Sequence, residues 1–495
     1  MRGENYLLAI DQGTTSTRAI LFDTTGAVHH IARRDLRQLY PQPSWVEHDP
    51  EEIWEAAVAT CREAIAAANG RPVAAIGVTN QRETTVLRER ADGRPVHNAI
   101  VWQDRRTAAL CERWREDGFA EAVAARTGLV IDPYFSASKI RWLLDNVPGL
   151  RERAVRGDIA FGTIDSFVLW RLTGGRHQTD VTNASRTMLY DLHRLVWDDE
   201  LLLGFDIPAA ILPEVRDTGA DYGSALPDLF GDAIPIAGVA GDQQAALIGQ
   251  ACFRPGMVKS TYGTGAFALL HTGTVPAVSS HKLVTTIAYR FGGETAYALE
   301  GSIFIAGAAV QWLRDRLGVI GTAAETQALA ESADVRQRVY FVPAFAGLGA
   351  PYWSPEARGA ISGLTAECGI AELAGATLEA VGYQTRDLIA AMCADSGLRI
   401  DALRVDGGMA VNDWAMQFIA DILPARVERP ASIETTAWGA AYAAGLQHGL
   451  CPPPDEMMKQ WRAARSFAPE MGESEREERY KGWGKAVAAT LAAHA

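Results

Sequence analysis

The chain has 495 residues, 48% of them hydrophobic and 22% charged, with a formal net charge of −13 at pH 7. That length and balance describe a globular protein with more than one core, and two large domains are expected. The negative charge argues against nucleic acid or an anionic membrane as a partner, and with no run of about eighteen apolar residues and no basic, apolar leader, a cytoplasmic protein without a membrane segment is expected.

The first predicted element is LLAIDQGTTSTRAILFD, Leu7 to Asp23. Two short apolar strands, Leu7 to Ile10 and Ala19 to Phe22, flank a bend crowded with Asp11, Gly13, Thr14, Thr15, Ser16 and Thr17. Glycine lets the backbone approach a ligand, the hydroxyls can donate to phosphate oxygens, and Asp11 at a strand end can face a hydrated Mg²⁺. The segment reads as a phosphate-gripping hairpin, with an ordinary Gly- and Thr-rich turn as the alternative. Asp49 to Gly70 then predicts a helix: Asp49 can cap it, Pro50 suits the first turn, Glu51 and Glu52 favour its positive end, and Asn69-Gly70 stop it.

A strand from Val73 to Val78 ends at Thr79 to Glu83, and another, Asn98 to Val101, ends at Trp102 to Arg106. Open α/β sheets place ligands at strand ends, which makes Arg82, Glu83 and Trp102 site candidates. The alternative for Arg82 and Glu83 is a surface ion pair. Further on, an apolar strand from Ile234 to Ala240 is followed by Gly241-Asp242, opening a helix from Gln243. Asp242 is either a helix cap or an acid that meets substrate. Met257 to Gly273 again reads strand, Gly/Thr turn, strand, a weak echo of Leu7 to Asp23 that suggests a duplicated domain with both phosphate loops facing one cleft. Leu403 to Leu423 adds a strand, a Gly407-Gly408 turn and an amphipathic helix, where paired glycines admit a flat ring or a phosphate.

The six cysteines form no CxxC pair and the ten histidines no HExxH, so the cysteines read as small core residues rather than zinc ligands or a disulfide framework. There is no GxxxxGK[ST] loop and no protein-kinase set of GxGxxG, HRD and DFG, so a nucleotide must be held another way.

YFSASKIRWLLDN, Tyr134 to Asn146, and GAISGLTAECGIAELAGATLE, Gly359 to Glu379, are similar to the two signatures of the FGGY family of sugar and polyol kinases. YPQPSWVEHDPEEIW, NQRETT, VWQDRRT, DVTNASRTMLYDL, AGDQQAALIGQ, STYGTGAF, EGSIF, FVPAFAGLGAPYW and VDGGMAVN resemble, within that family, its glycerol kinases. The resemblance covers essentially the whole chain. It implies an α/β protein of two duplicated actin/Hsp70-like (ribonuclease H-like) ATPase domains facing a central cleft, expected here at residues 1–250 and 251–495.

The resemblance also implies ATP-dependent phosphorylation of glycerol to sn-glycerol 3-phosphate by direct in-line transfer, with Asp242 as the base. It places Arg82, Glu83, Trp102, Tyr134, Asp242, Gln243 and Phe267 around glycerol. It places Thr14, Thr15, Ser16, Arg18, Thr264, Gly307, Gln311, Gly408 and Asn412 around ATP, and Mg²⁺ near Asp11 and Asp242. A homodimer or homotetramer is expected. Some bacterial relatives are inhibited by a sugar bisphosphate at a loop that here reads LFGDAIP, Leu229 to Pro235; Ala233 stands where a phosphate-binding Arg is expected and Asp232 repels phosphate, so this inhibition is not expected, and with the nearest histidines, His193 and His271, far outside the loop, neither is phosphohistidine activation. Departures from the family pattern are Ser44 for Gly, Phe167 for Trp and Trp438 for Leu. Two rival readings are a kinase of another polyol or ketose, and an ATP-driven chaperone or filament protein on the same fold.

Overall fold

The computed structural model describes residues 5–493. The chain builds two mixed sheets. The first joins β1 (Tyr6–Gln12), β2 (Ser16–Asp23), β3 (Val28–Asp35), β4 (Val73–Asn80) and β5 (Ile236–Gly241) in the order β5-β4-β1-β2-β3. β1 and β2 are the antiparallel hairpin read from Leu7 to Asp23, with Asp11 opposite Arg18, and β1, β4 and β5 run parallel. Leu7 to Ile10 are fully buried, as an unbroken apolar run in a sheet covered on both faces requires.

The second sheet joins β6 (Val258–Tyr262), β7 (Ala266–Gly273), β8 (Val284–Phe291), β9 (Glu294–Ile303), β10 (Ala402–Asp406), β11 (Arg426–Pro430) and β12 (Ala463–Phe467), in the order β8-β9-β7-β6-β10-β11-β12. Within it, β9-β7-β6-β10-β11 repeats the pattern of the first sheet: an antiparallel hairpin, a third antiparallel strand outside it, and two parallel strands on the other flank. The weak echo between the two Gly/Thr hairpins is therefore a duplication of a whole sheet, and the fold is the expected α/β one.

One predicted strand differs. Asn98 to Val101 contributes only Ala99–Ile100, paired antiparallel with Glu47–His48 in a two-stranded ribbon outside both large sheets. Four residues are too few to extend across a large sheet, and Trp102 is delivered by this ribbon instead.

Helix α1 (Pro50–Ala66) starts as predicted. Asp49 accepts a hydrogen bond from the Glu51 amide at 2.9 Å and Pro50 is the first helical residue. Asn69 and Gly70, at φ 51° and 80°, turn the chain away after its end. Helix α2 (Asp242–Gly249) follows β5 directly, and α3 (Thr435–Gln447) crosses it while lying on β4 and β5. The second half of the chain thus supplies a helix to the first sheet.

This packing is backbone against backbone. A Cβ at Gly439 would sit 1.8 Å from the Ala245 carbonyl oxygen, one at Gly249 1.9 Å from that of Thr435, and one at Gly77 2.1 Å from that of Ala440. Helix propensity favours Ala over Gly by about 1 kcal/mol, yet Gly439→Ala should destabilise the protein by about 1–3 kcal/mol because α2 and α3 must move apart. Urea unfolding measures this; equal or greater stability in the variant would show that the helices separate freely.

The departures from the family pattern have local reasons. Ser44 lies at φ 66°, where glycine is easier. Trp438 packs on Phe22 with ring centroids 5.5 Å apart and covers Gly26. Phe167 is buried beneath the Arg171 guanidinium. Cys61, Cys111, Cys252 and Cys451 are buried, whereas Cys368 and Cys393 are partly exposed, so the core reading holds for four of the six, and all six are free thiols. Among the described residues no helix is long and apolar enough to cross a membrane.

Candidate active site

The parallel strands β4 and β5 end beside each other, and the residues just past their ends meet in a buried cluster. Arg82 and Glu83 follow β4 and are 3% and 1% exposed, so the surface-pair reading fails. Their own separation is 3.9 Å, and each has a closer partner elsewhere. Both Nη groups of Arg82 donate to Glu300, Nη2 at 3.0 Å, while Nη1 also reaches Gln244 at 3.2 Å. Arg82 Nε lies 3.3 Å from an Asp242 carboxylate oxygen. Glu83 accepts from Arg186 Nε at 2.6 Å, and Arg186 Nη2 donates to Glu300 at 2.8 Å. Glu83 sits at φ 60°, a strained value for a non-glycine residue that persists only where the surroundings impose it.

Asp242 is the first residue of α2, with Gly241 at the cap position, and its Oδ1 accepts from the Gln243 backbone amide at 2.7 Å. The carboxylate, 31% exposed, thus satisfies an amide of the first helical turn and meets Arg82 at the end of β5, so each reading of Asp242 has a contact behind it. Burial raises its pKa, with the Arg82 and Lys259 charges opposing the rise. Lys259, on β6, donates to Gln243 at 2.5 Å, and burial pushes its ammonium pKa down to about 8.

Three half-buried rings gather in front of this cluster. Trp102 meets Tyr134 edge-on at 5.5 Å and Phe267 at 6.3 Å between centroids. Its indole N–H donates to the Thr14 hydroxyl at 3.0 Å, joining the aromatic group to the first hairpin. Phe267 belongs to β7, the outgoing strand of the second hairpin. The two Gly/Thr hairpins thus approach one another across Trp102.

The first hairpin is closed by the Gly13 amide donating to the Ser16 carbonyl at 2.9 Å, which leaves Thr14 partly exposed and Thr15 exposed. Arg18 is held by Asp11 and, at 2.6 Å, by Glu434. In the second hairpin the Gly263 and Thr264 carbonyls accept from the amides of Gly307 and Ala308 at 3.0 and 2.9 Å, fixing the start of the helix Gly307–Asp315 beside the loop. A Cβ at Gly307 would lie 2.5 Å from the Gly263 oxygen. The Gly407 turn packs on the Tyr262 backbone, and Gly408 next to it faces open space. Asn412 caps the helix Asp413–Ile422 and donates to Thr326 at 3.3 Å. Gln311 is exposed on its helix.

Asp11 and Arg18, the latter joined to Glu434, form one group of predicted residues with Thr15 and Ser16 of the same hairpin, and the others fall into two more. Arg82, Glu83, Trp102, Tyr134, Asp242, Gln243, Phe267 and Thr14 are linked by direct contacts or shared partners. Thr264, Gly307, Gly408 and Asn412 line the rim of the second sheet, and Gln311 follows Gly307 by one turn of the helix Gly307–Asp315. Sequence reasoning missed Arg186, Gln244, Lys259 and Glu300. The signal for Glu300 was present: a carboxylate inside YALEGSIF, an otherwise apolar strand, is rarely buried without a partner.

Residues 6–249 match the N-terminal domain of the FGGY family of carbohydrate kinases and residues 258–448 its C-terminal domain. The glycerol kinase of Methylobacterium nodulans is 60% identical over 98% of both sequences, and that of Cereibacter sphaeroides is 58% identical over 99% of this chain and all of its own. The solved structure of Plasmodium falciparum glycerol kinase with ADP superposes with a TM-score of 0.93 at 36% identity, covering 99% of this chain and 98% of that one. A ligand-bound xylulose kinase from Lactobacillus acidophilus, 22% identical, shares the fold with a TM-score of 0.90 over 99% of each chain. With both domains matched in order along one chain, this protein belongs to the FGGY family of carbohydrate kinases.

Proposed function

We propose that this enzyme transfers the γ-phosphoryl group of ATP to a primary hydroxyl of glycerol, giving sn-glycerol 3-phosphate. The observation that carries the reading is the meeting of Arg82 and the partly exposed Asp242 carboxylate behind the Trp102, Tyr134 and Phe267 rings. A three-carbon polyol presents hydroxyls to such polar groups and C–H faces to such rings. Near-full-length likeness to two glycerol kinases supports the choice of polyol.

In this reading Arg82 and Tyr134 donate to glycerol oxygens, Glu83 and Gln243 complete the polar wall, and Trp102 and Phe267 cover the carbons. Asp242 accepts the proton of the attacking hydroxyl. Thr14, Thr15 and Ser16 of the first hairpin and Thr264 of the second hold the phosphates from two sides, with Arg18 turning from Asp11 to the nucleotide. Gly307, Gln311, Gly408 and Asn412 hold the adenosine end, in a cleft between domains 1–250 and 251–495. Phosphoryl transfer has a loose transition state, so positioning and charge stabilisation dominate and no covalent enzyme intermediate is required.

The donor set suits Mg²⁺. Asp11 and Asp242 end strands on either side of β4 and offer hard oxygen atoms to a cation bound largely through water and phosphate. When bound, Mg²⁺ neutralises charge on the phosphates.

The test is ADP release measured with glycerol, dihydroxyacetone, erythritol, xylulose and ribulose. Glycerol should give the highest kcat/KM, and a preference for a ketose would overturn the proposal. A second expected outcome concerns regulation. Asp232 and Ala233 are exposed in the 229–235 loop, and the cation that reaches it is Arg62 of α1, which donates to the Leu229 carbonyl at 2.9 Å. Titration of the rate with a hexose bisphosphate, at low and high protein concentration, should show no inhibition; half-maximal inhibition at sub-millimolar levels would mean that Arg62 or another loop supplies the missing charge. A homodimer or homotetramer in solution is part of the same proposal.

A further inference from the structure

We propose that Glu300 is a positioning residue for the polyol pocket: its one carboxylate, supplied by the second sheet, fixes both Arg82 and, through Arg186, Glu83. The inference rests on the proposed function for what the pocket binds, and on geometry for how it is held.

Glu300 lies on β9 between Leu299 and Gly301, and is 3% exposed. A lone carboxylate there would be costly, and it is paired threefold: twice with Arg82 and once with Arg186. Burial by itself would raise its pKa; Arg186 and Arg82 more than offset this and hold it at about 2. Two arginines and two glutamates, Arg82, Arg186, Glu83 and Glu300, form a closed ring with balanced charge.

A buried ring of this kind is weak evidence for stability, because well-packed apolar residues of the same volume often serve as well. Its geometry points to orientation instead. With both Nη groups of Arg82 on Glu300, the Nε edge is left facing Asp242 at 3.3 Å. With Arg186 Nη2 on Glu300, Arg186 Nε is left for Glu83 at 2.6 Å, which holds Glu83 in its positive-φ conformation. Without the Glu300 charge, Arg82 is free to swing onto Asp242 as a paired fork, withdrawing a substrate donor and engaging the proton acceptor together. The ring also spans the chain: Arg82, Glu83 and Arg186 belong to the first half and Glu300 to the second. The polyol pocket is therefore assembled only where the two sheets are joined at this point.

The test compares Glu300→Gln, Glu300→Asp and Arg186→Lys with wild type, reading KM for glycerol, KM for ATP, kcat and the melting temperature. Loss of a buried charged partner should raise the glycerol KM roughly tenfold or more and lower kcat about tenfold in Glu300→Gln, with the ATP KM within about threefold of wild type. Glu300→Asp should recover more activity than Glu300→Gln, although Gln matches the native shape better. Arg186→Lys, whose single ammonium cannot bridge two carboxylates in a fork, should show the same split and decides the matter if Glu300→Gln does not fold. Unchanged glycerol parameters in the folded variants, or equal losses for glycerol and ATP that track the melting temperature, would overturn the proposal. If wild type prefers another polyol, the glycerol reading fails on that result alone, and the same variants are read on that substrate.

Discussion

Replacing Asp242 by Asn is expected to lower kcat by about 10²-fold or more, the scale of a lost general base. Asn keeps the size of the side chain and removes the site that accepts the hydroxyl proton. The fold should tolerate the change, because the Asn amide oxygen can still accept from the Gln243 amide as Asp242 Oδ1 does at 2.7 Å. Arg82 loses a contact at 3.3 Å but keeps both bonds to Glu300, so the polyol pocket stays formed. Glycerol binding measured by calorimetry without ATP should accordingly change far less than kcat. Turnover within about threefold of wild type would exclude Asp242 as the base, because even a modest general-base contribution exceeds that.

Much of this arrangement was legible in the residues, for identifiable reasons. The hairpin from Leu7 to Asp23 announced itself because its apolar runs and polar bend are local, and a strand buried on both faces must be apolar throughout. Helix α1 was legible from its ends, since capping chemistry acts within four residues. The short ribbon at Ala99–Ile100 was misjudged because a run of three apolar residues, Ala99 to Val101, does not specify its partner, and only the tertiary structure decides whether it joins a sheet. The ring of Glu83, Arg186, Glu300 and Arg82 was not legible as a ring: Arg82 and Glu300 are 218 positions apart, and no periodicity reports a contact at that range. The same holds for Arg18 and Glu434, 416 positions apart. Local signals located the chemistry at strand ends; the partners that orient it, Arg186 for Glu83 and Glu300 for Arg82, lie 103 and 218 positions away.

That division bears on Arg82→Ala and Glu83→Ala, each expected to raise the glycerol KM roughly tenfold to a hundredfold, the cost of about 1.5–3 kcal/mol for removing a charged hydrogen-bonding partner. Each truncation removes one member of the buried ring yet leaves no ion wholly alone. Without Arg82, Glu300 still accepts from Arg186; without Glu83, Arg186 still donates to Glu300. Folding should survive where removal of a sole partner would endanger it. The proposed nucleotide groups Thr14, Thr15 and Thr264 belong to the hairpins and are not members of this ring, Thr14 reaching Arg82 only through Trp102 and Tyr134, so ATP affinity measured by calorimetry in the absence of glycerol should stay within about threefold. Glu83→Gln separates charge from shape: it keeps the side-chain volume at φ 60° while weakening the bond from Arg186, and its glycerol KM should fall between those of wild type and Glu83→Ala. Parallel losses of glycerol and ATP affinity would instead mean that the ring supports the whole cleft, and a glycerol KM unchanged in both alanine variants would remove Arg82 and Glu83 from the pocket.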